Sequence, residues 1–383
     1  MSAKTLEQKL ENFVRQSDIK CAQFRAGARG VTSIAQNFGS TEYKVWNKTV
    51  SCLPDDNTLF RIASVSKTIT ASAILGMVSR GLFALDTKLV DIIKNLQPYD
   101  IRVKEITIRD LLRHSAGWDT SLGISSTPST KHLFPETVDI LAPFDPQYDS
   151  MRFLNNVTNT SIIYFMMQFP LNYDPGTKYV YSNFGYNILG RIIEIVSGST
   201  YEDYILKNVL NHAKNTAFIG RTDIAKKNPL EVYYYDGPQD DVQFAWNCGI
   251  KYKVPSSYGS FDLKVMDSHG GWVMRISDLK TFGDRFLKFE YFGQDMLKEI
   301  LKMPPYVGIN NKEFYSLGMR VIQNDVPKST ILTHNGALTS GTFAVLSMNI
   351  QSKFVTVFVA NHLPVNIGET MTKYQKIILD NQS

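Results

Sequence analysis

Residues 60–80 read Phe-Arg-Ile-Ala-Ser-Val-Ser-Lys-Thr-Ile-Thr-Ala-Ser-Ala-Ile-Leu-Gly-Met-Val-Ser-Arg and place a short strand-like run directly before a long helical one. Ser64 opens the helical run and Gly81 follows it, as is typical of helix termini. Ser64 and Lys67 are three residues apart, so in a helix their side chains share a face and can touch. The segment therefore predicts a strand–helix junction that carries a hydroxyl beside an amine.

This pair of side chains is suited to nucleophilic catalysis. A serine hydroxyl is a poor nucleophile until a base takes its proton. A solvated lysine amine has a pKa of ~10.4 and is protonated at pH 7, so it becomes a base only where burial and nearby positive potential lower that pKa. We therefore expect Ser64 as the nucleophile and Lys67 as its base, in a partly buried site at the start of a helix.

The spacing alone is unspecific, because S-x-x-K also occurs at Ser17 and Ser277. A second motif, Tyr181-Ser-Asn183, follows the Ser64 copy in a Pro-Gly loop. A phenol can relay a proton, and an amide can hold a substrate carbonyl and the lysine amine. Alone, these residues would indicate only a turn.

The third motif is His334-Asn-Gly336, at the end of a strand-like run. Glycine there lets a ligand approach the strand edge, and the next backbone N–H can donate to an oxyanion. Alone, this histidine would be a satisfied strand-end residue, and His269-Gly-Gly271 fits the same loose pattern. The candidate catalytic residues are Ser64, Lys67 and Tyr181, and the candidate substrate-binding residues are Asn183, His334, Asn335, Gly336 and Ala337.

The three motifs in this order resemble the serine β-lactamase and penicillin-binding-protein superfamily, above all its class C β-lactamase, D-aminopeptidase and esterase-like branch. The resemblance covers roughly residues 20–375 and includes Ile108-Arg-Asp-Leu-Leu-Arg-His-Ser-Ala-Gly-Trp118 and Tyr315-Ser-Leu-Gly-Met319. It implies an α/β (α+β) fold and a serine hydrolase that works through an acyl-enzyme without a cofactor. The implied substrate is a small ester, amide or peptide.

The resemblance also implies a role for each candidate residue. Ser64 would be acylated, with the oxyanion held by its own N–H and that of Ala337. Tyr181 would protonate the leaving group and then activate water, while Asn183 would position the substrate. Many β-lactamases carry Lys-Thr-Gly where this chain has His-Asn-Gly, and a mostly neutral His334 holds a substrate carboxylate poorly. Efficient β-lactam hydrolysis is therefore not expected.

Two other functions use the same residues. A catalytically silent binding or scaffold protein would keep the fold, although it has no reason to keep every reactive group. An acyltransferase would pass the acyl group to an alcohol or amine in place of water. No G-x-S-x-G, H-E-x-x-H or G-x-G-x-x-G pattern favours an α/β-hydrolase, a metal site or a dinucleotide cofactor.

The composition is that of an ordinary globular protein, with 383 residues, 43% of them hydrophobic, and a net charge of +5. No run of basic residues indicates a nucleic-acid partner, and no apolar run is long enough for a membrane span. Three cysteines are too few for a disulfide framework. With no secretory or transit peptide apparent, we expect a reducing, cytoplasmic location.

The order of segments predicts one α/β domain assembled from both termini, with an antiparallel sheet flanked by helices. Strand-like segments fill about 20–63 and 314–360, and a last helix is expected at about 366–380. We predict that residues 1–84 and 261–383 form this domain. Residues 85–260 would be an inserted, mostly helical lobe with a polar insertion at about 119–159.

Overall fold

The structure is a computed structural model. It describes residues 5–45, 48–119, 158–236, 242–244, 253–259, 261–308, 311–325, 328–338, 341–363 and 367–379. Nearly all of the insertion predicted at about 119–159 lies outside the described residues, as does Cys248. The predicted division into a domain and an inserted lobe stays a prediction.

The α-helices are α1 (Leu6–Gln16), α2 (Ser66–Ser79), α3 (Leu89–Ile92), α4 (Ile108–Leu112), α5 (Asn159–Met166), α6 (Asn183–Ser197), α7 (Tyr201–Asn208), α8 (Ile276–Leu287), α9 (Met296–Leu301) and α10 (Ile367–Leu379). Short 3₁₀ turns cover Ala63–Val65, Ile101–Glu105, Asn211–Ala213, Ile224–Lys226 and Ser256–Tyr258.

The strands are β1 (Ala22–Ala28), β2 (Ile34–Phe38), β3 (Ser40–Val45), β4 (Lys48–Cys52), β5 (Leu59–Arg61), β6 (Phe218–Ile219), β7 (Val242–Phe244), β8 (Lys253–Pro255), β9 (Trp272–Arg275), β10 (Glu313–Tyr315), β11 (Arg320–Asp325), β12 (Lys328–Leu338), β13 (Thr342–Asn349) and β14 (Phe354–Ala360). The main sheet has the order β10-β11-β12-β13-β14-β1-β2, and a smaller sheet has the order β5-β9-β6.

The main sheet joins the two ends of the chain. Strand β1 pairs antiparallel with β14, from Ala22 opposite Ala360 to Ala28 opposite Phe354. Helices α1 and α10 pack on the sheet, where Phe13, on α1, meets the ring of Phe358 at 5.9 Å between centroids. The predicted antiparallel sheet built from both termini and flanked by helices is therefore confirmed.

Helix α2 is buried almost all round, from Ser66 to Met77, as is typical of a helix in the middle of a core. Its polar side chains are satisfied by other segments or by the helix itself. Thr70 Oγ1 donates to the carbonyl of Ser268 at 2.6 Å, and Thr68 Oγ1 donates to that of Gly318 at 3.1 Å. These bonds fix the start of α2 against the segments that directly precede β9 and β11.

Two strand boundaries differ from the sequence prediction. The strand expected at 314–323 is interrupted between β10 and β11, where Gly318 has a φ of +90°. A Cβ on Gly318 would lie 2.2 Å from the Cβ of Ala71, so the turn packs directly on α2. The strand expected at 329–334 runs on to Leu338. His334-Asn-Gly336 therefore lies inside β12, because pairing with β13 overrides the local Asn-Gly turn signal.

The cysteines also differ from expectation. Cys21 and Cys52 form a disulfide, with their Cα atoms 5.8 Å apart. They are 31 residues apart in the sequence, so no local pattern predicts the pairing. Cys21 directly precedes β1 and Cys52 ends β4, and the fold brings these two positions together. The cytoplasmic location stays a prediction. Within the described ranges, no helix is long and apolar enough to cross a membrane.

Candidate active site

A tight turn presents Ser64 at the beginning of α2. The 3₁₀ turn Ala63–Val65 connects β5 to the helix, and Ala63 has a φ of +46°. An alanine in this left-handed region carries backbone strain. The turn is held by the N–H of Val65, which donates to the carbonyl of Ile62 at 3.1 Å. Ser64 is half-buried and lines a cleft.

Strand β5, which precedes this turn, is anchored by a buried ion pair. Arg61 and Glu231 are both fully buried, with Nε 3.1 Å from Oε1. The guanidinium also donates to the carbonyl of Ser257 at 2.6 Å and stacks 4.2 Å from the ring centre of Tyr234. If β5 moved, the pair would separate and leave an uncompensated buried charge, which is strongly unfavourable. These contacts therefore hold β5 in place.

Lys67 is fully buried, and its amine joins three parts of the chain. Its Nζ lies 3.0 Å from Ser64 Oγ, 2.6 Å from Asn183 Oδ1 and 2.8 Å from the carbonyl oxygen of His269. The predictions that Ser64 and Lys67 touch and that the amine is buried are confirmed.

These three contacts suit an amine that exchanges a proton with Ser64. The carbonyl of His269 and Oδ1 of Asn183 can only accept, so each takes one N–H from Lys67. A charged amine has a third N–H, which points at Ser64 Oγ. A neutral amine has a lone pair in that direction, which can accept the serine proton. The proton can therefore move between the two groups while the other bonds stay in place.

The second motif meets this amine from the start of α6. Ser182 is the N-cap of α6, and its hydroxyl accepts from the N–H of Gly185 at 3.3 Å. Asn183 follows as the first helical residue. The ring centre of Tyr181 is 4.8 Å from Lys67 Nζ. The structure thus brings Tyr181 and Asn183 to the Ser64–Lys67 pair, as the sequence predicted.

The third motif forms the opposite wall, on β12. A Cβ built on Gly336 would lie 2.3 Å from the carbonyl oxygen of Ile62, 2.9 Å from the backbone nitrogen of Ser64 and 3.0 Å from the Cβ of Ala63. Only glycine allows β12 to approach the Ser64 turn this closely. Ala337 follows on β12 and lines the same cleft.

Replacing Gly336 with alanine is expected to separate β12 from the Ser64 turn. The carbonyl of Ile62 is backbone and cannot rotate away, so the strand itself must shift. The resemblance predicts that the N–H of Ala337 on this strand is an oxyanion donor, and loss of one such donor lowers kcat by about 10²–10³-fold in other hydrolases. We therefore expect a loss of up to this size in kcat, together with a loss of about 1–3 kcal/mol of stability from overpacking. Kinetics with a chromogenic ester and denaturant unfolding measure both effects.

Gly293→Ala is the matched control, because a Cβ on Gly293 meets nothing within 4 Å. This control variant should keep wild-type activity and stability. Full activity in Gly336→Ala would show that the contact between β12 and the Ser64 turn is not needed for turnover.

His334 is a neutral ring with both nitrogens engaged. Its Nδ1 lies 2.6 Å from the carbonyl of Asn335, which can only accept, so Nδ1 carries the proton. Its Nε2 therefore accepts from the hydroxyl of Tyr315 at 3.0 Å. Burial, aided by the nearby amine of Lys67, lowers the pKa of His334 to about 3. The expectation of a mostly neutral histidine is confirmed.

The motifs surround one cleft with a volume of about 780 Å³. Aromatic side chains form much of its wall, namely Tyr179, Tyr181, Tyr306, Phe314 and Tyr315. Among the described lining residues, the charged ones are Glu313 and Arg320, which form an ion pair with each other. Asn335 also lines the cleft.

The other two S-x-x-K segments lie in different surroundings. Lys20 pairs with Asp18, and Lys280 is buried in an ion pair with Asp284 at 2.8 Å. Ser64 is thus the copy that meets the tyrosine and histidine motifs.

Sequence reasoning missed two contributors to this site. The carbonyl of His269 and the hydroxyl of Tyr315 both bond to groups of the predicted set. The only indication of them in the sequence is that they lie in the segments His269-Gly-Gly271 and Tyr315-Ser-Leu-Gly318. Across the described ranges, no group of three or more His, Cys, Asp or Glu side chains could hold a metal ion.

Comparisons with known proteins identify chains that are similar to this one. Penicillin-binding protein 4* of Bacillus subtilis (strain 168) is 26% identical over 331 residues, which cover 84% of this chain and 64% of that protein. Esterase EstB of Burkholderia gladioli is 27% identical over 212 residues, which cover 54% of this chain and 48% of the esterase. This chain spans 33% to 64% of the length of these and two further curated relatives.

The fold is also that of a solved amidase. The crystal structure of D-amino acid amidase from Ochrobactrum anthropi SV3 matches with a TM-score of 0.69 and 17% identity over 98% of this chain and 100% of the amidase. At this identity the likeness concerns the fold. The sequence model of the Beta-lactamase family matches residues 6–378, nearly the whole chain. The resemblance inferred from the three motifs is therefore confirmed, and the chain belongs to the Beta-lactamase family.

Proposed function

We propose that this protein is a serine hydrolase that forms an acyl-enzyme at Ser64 with a small ester, amide or peptide. The observation that carries the proposal is the buried amine of Lys67, bonded at once to Ser64, Asn183 and the carbonyl of His269. A lysine that served only to stabilise the fold would not need a contact with the hydroxyl of a serine that lines a cleft.

In the acylation step, Lys67 takes the proton of Ser64 Oγ as that oxygen attacks the substrate carbonyl. The oxyanion is held by the N–H groups of Ser64 and Ala337. The leaving group departs with a proton relayed through Tyr181, and the acyl group stays on Ser64 Oγ. In the second step water attacks the ester carbonyl and its proton passes to the same relay. The bond between the acyl carbon and Ser64 Oγ then breaks, the relay returns a proton to Oγ, and the acid leaves.

Esters and amides without a carboxylate fit this cleft best. His334 is neutral at pH 7, because burial lowers its pKa to about 3. The charges of Glu313 and Arg320 offset each other across their ion pair. The wall therefore offers a substrate carboxylate little net positive charge, so turnover of β-lactams should be slow compared with that of neutral esters. Asn183 would position the substrate carbonyl.

The test uses one acyl group on two leaving groups, such as a p-nitrophenyl ester and a phenyl ester, in the presence of methanol. Both esters pass through the same acyl-enzyme, so the ratio of acid to methyl ester should be the same for both. A ratio that depends on the leaving group would rule out a common acyl-enzyme.

Two other outcomes separate the alternatives that use the same residues. Product that is almost entirely methyl ester would favour an acyltransferase over a hydrolase. No turnover of esters, anilides or dipeptides would favour a catalytically silent binding or scaffold protein and contradict the proposal.

A further inference from the structure

His114 lies behind the second motif, in an unusual backbone conformation. It follows α4, is 2% exposed, and has a φ of +56°. A non-glycine residue in the left-handed region carries backbone strain, and residues strained in this way are concentrated at functional sites. By itself, the segment Leu-Leu-Arg-His114-Ser-Ala-Gly indicates a structural histidine that anchors a loop.

His114 holds the backbone on both sides of Tyr181. The N–H of Val180 donates to the carbonyl of His114 at 2.8 Å. The N–H of Ser182 donates to His114 Nδ1 at 3.0 Å. The first bond would survive any side-chain substitution, whereas the second depends on the imidazole.

The imidazole also packs against the ring of Tyr181. The two ring centres are 4.3 Å apart with an interplanar angle of 37°. The rings of Tyr186 and Tyr315 also lie near the imidazole, with ring centres 5.0 and 4.6 Å from its own. Tyr181 thus rests on a side chain that is itself enclosed by aromatic rings.

The protonation state of His114 follows from these contacts. Since Nδ1 accepts the Ser182 N–H, the ring proton of the neutral form is on Nε2. Burial lowers the pKa of His114 well below its usual value, and the nearby amine of Lys67 adds to this effect. The ring therefore stays neutral and keeps Nδ1 as an acceptor.

We propose that His114 is a positioning residue for proton transfer to the leaving group. Its Nδ1 accepts the N–H of Ser182, and this hydrogen bond is the contact that fixes the phenol of the adjacent Tyr181 beside Lys67. The contact between the two rings is secondary to it. This inference rests on the proposed function, in which Tyr181 relays the proton that the leaving group needs.

The test uses two main variants of His114, one that removes the acceptor for the Ser182 N–H and one that removes the aromatic ring. His114→Phe keeps an aromatic ring but has no acceptor for Ser182. His114→Asn lacks the ring, but its Oδ1 can take the place of Nδ1, and asparagine tolerates a positive φ. His114→Gly removes both the acceptor and the ring, and glycine adopts a positive φ without strain. It replaces His114→Phe in the test if the Phe variant does not fold.

Each variant is measured with two esters of the same acyl group. A p-nitrophenolate leaving group departs without a proton, whereas an alkoxide requires one. Because kcat/KM reports acylation and not the deacylation step that both esters share, it isolates proton transfer to the leaving group. Since general acid catalysis contributes about 10²–10⁴-fold, His114→Phe should lose about 10²-fold more kcat/KM with the alkyl ester than with the p-nitrophenyl ester. His114→Asn should keep this ratio within about fivefold of the wild type. Tyr181→Phe provides the reference for full loss.

Two results would overturn the inference. One is an equal loss with both esters in His114→Phe or His114→Gly, which is what a general loss of structure would produce. The other is a ratio in His114→Asn as poor as in His114→Phe. Failure of the proposed function can be distinguished from failure of this inference. It would appear in the wild-type protein, as a ratio of acid to methyl ester that depends on the leaving group.

Discussion

Replacing Ser64 with alanine is expected to lower kcat/KM for a chromogenic ester by about 10⁴-fold or more, because losses of that size follow removal of the nucleophile in a serine hydrolase. The change deletes one oxygen from a half-buried side chain, and no backbone contact of the turn depends on it. The free energy of unfolding should therefore change little. Steady-state kinetics and denaturant unfolding measure both quantities.

Ser277→Ala is the matched control for Ser64→Ala. It alters a serine with the same spacing to a lysine, Lys280, but on α8, where that lysine pairs with Asp284. This variant should keep wild-type activity. A Ser64→Ala enzyme that retains more than about a tenth of the wild-type rate would be incompatible with a nucleophile at this position.

Replacing Lys67 with methionine is expected to lower kcat/KM by about 10³-fold or more, since removal of other groups that act as a unit with the nucleophile has effects of this order. Ser64 loses its proton acceptor. The change also leaves Asn183 Oδ1 and the carbonyl of His269 without this donor in a buried site, which costs about 1–3 kcal/mol for each group left unsatisfied. Kinetics and denaturant unfolding separate the two effects.

Lys67→Arg distinguishes a base from a fixed positive charge. Arginine keeps the charge but cannot be deprotonated in proteins, so this variant should be as inactive as Lys67→Met. Substantial turnover by Lys67→Arg would mean that the amine acts only as a cation, and the proposed proton transfer from Ser64 would be wrong.

The fold and the members of the site could be predicted from the sequence because their signals are local. Each of these signals is contained within a few residues. The run before Ser64 indicates a strand, the proline-free run after it indicates a helix, and the Pro-Gly pair before Tyr181 indicates a loop. The order of the motifs then indicates that distant segments meet. Asn183 and Lys67, 116 residues apart, form the 2.6 Å bond that this order implies.

Other parts of the site leave no such signal. The carbonyl of His269, which bonds Lys67, is a backbone atom that any residue could supply. The strand that carries His334 runs on to Leu338 because β13 pairs with it, and this long-range pairing outweighs a local Asn-Gly turn. The disulfide of Cys21 with Cys52 likewise depends on tertiary structure.

The central claim is that Ser64 becomes covalently acylated. Intact-protein mass after incubation with a fluorophosphonate probe, followed by peptide mapping, tests it most directly. The account predicts one adduct per chain in the wild type, on the peptide that contains Ser64, and none in the Ser64→Ala variant. An adduct on another residue, or equal labelling of the two proteins, would contradict it.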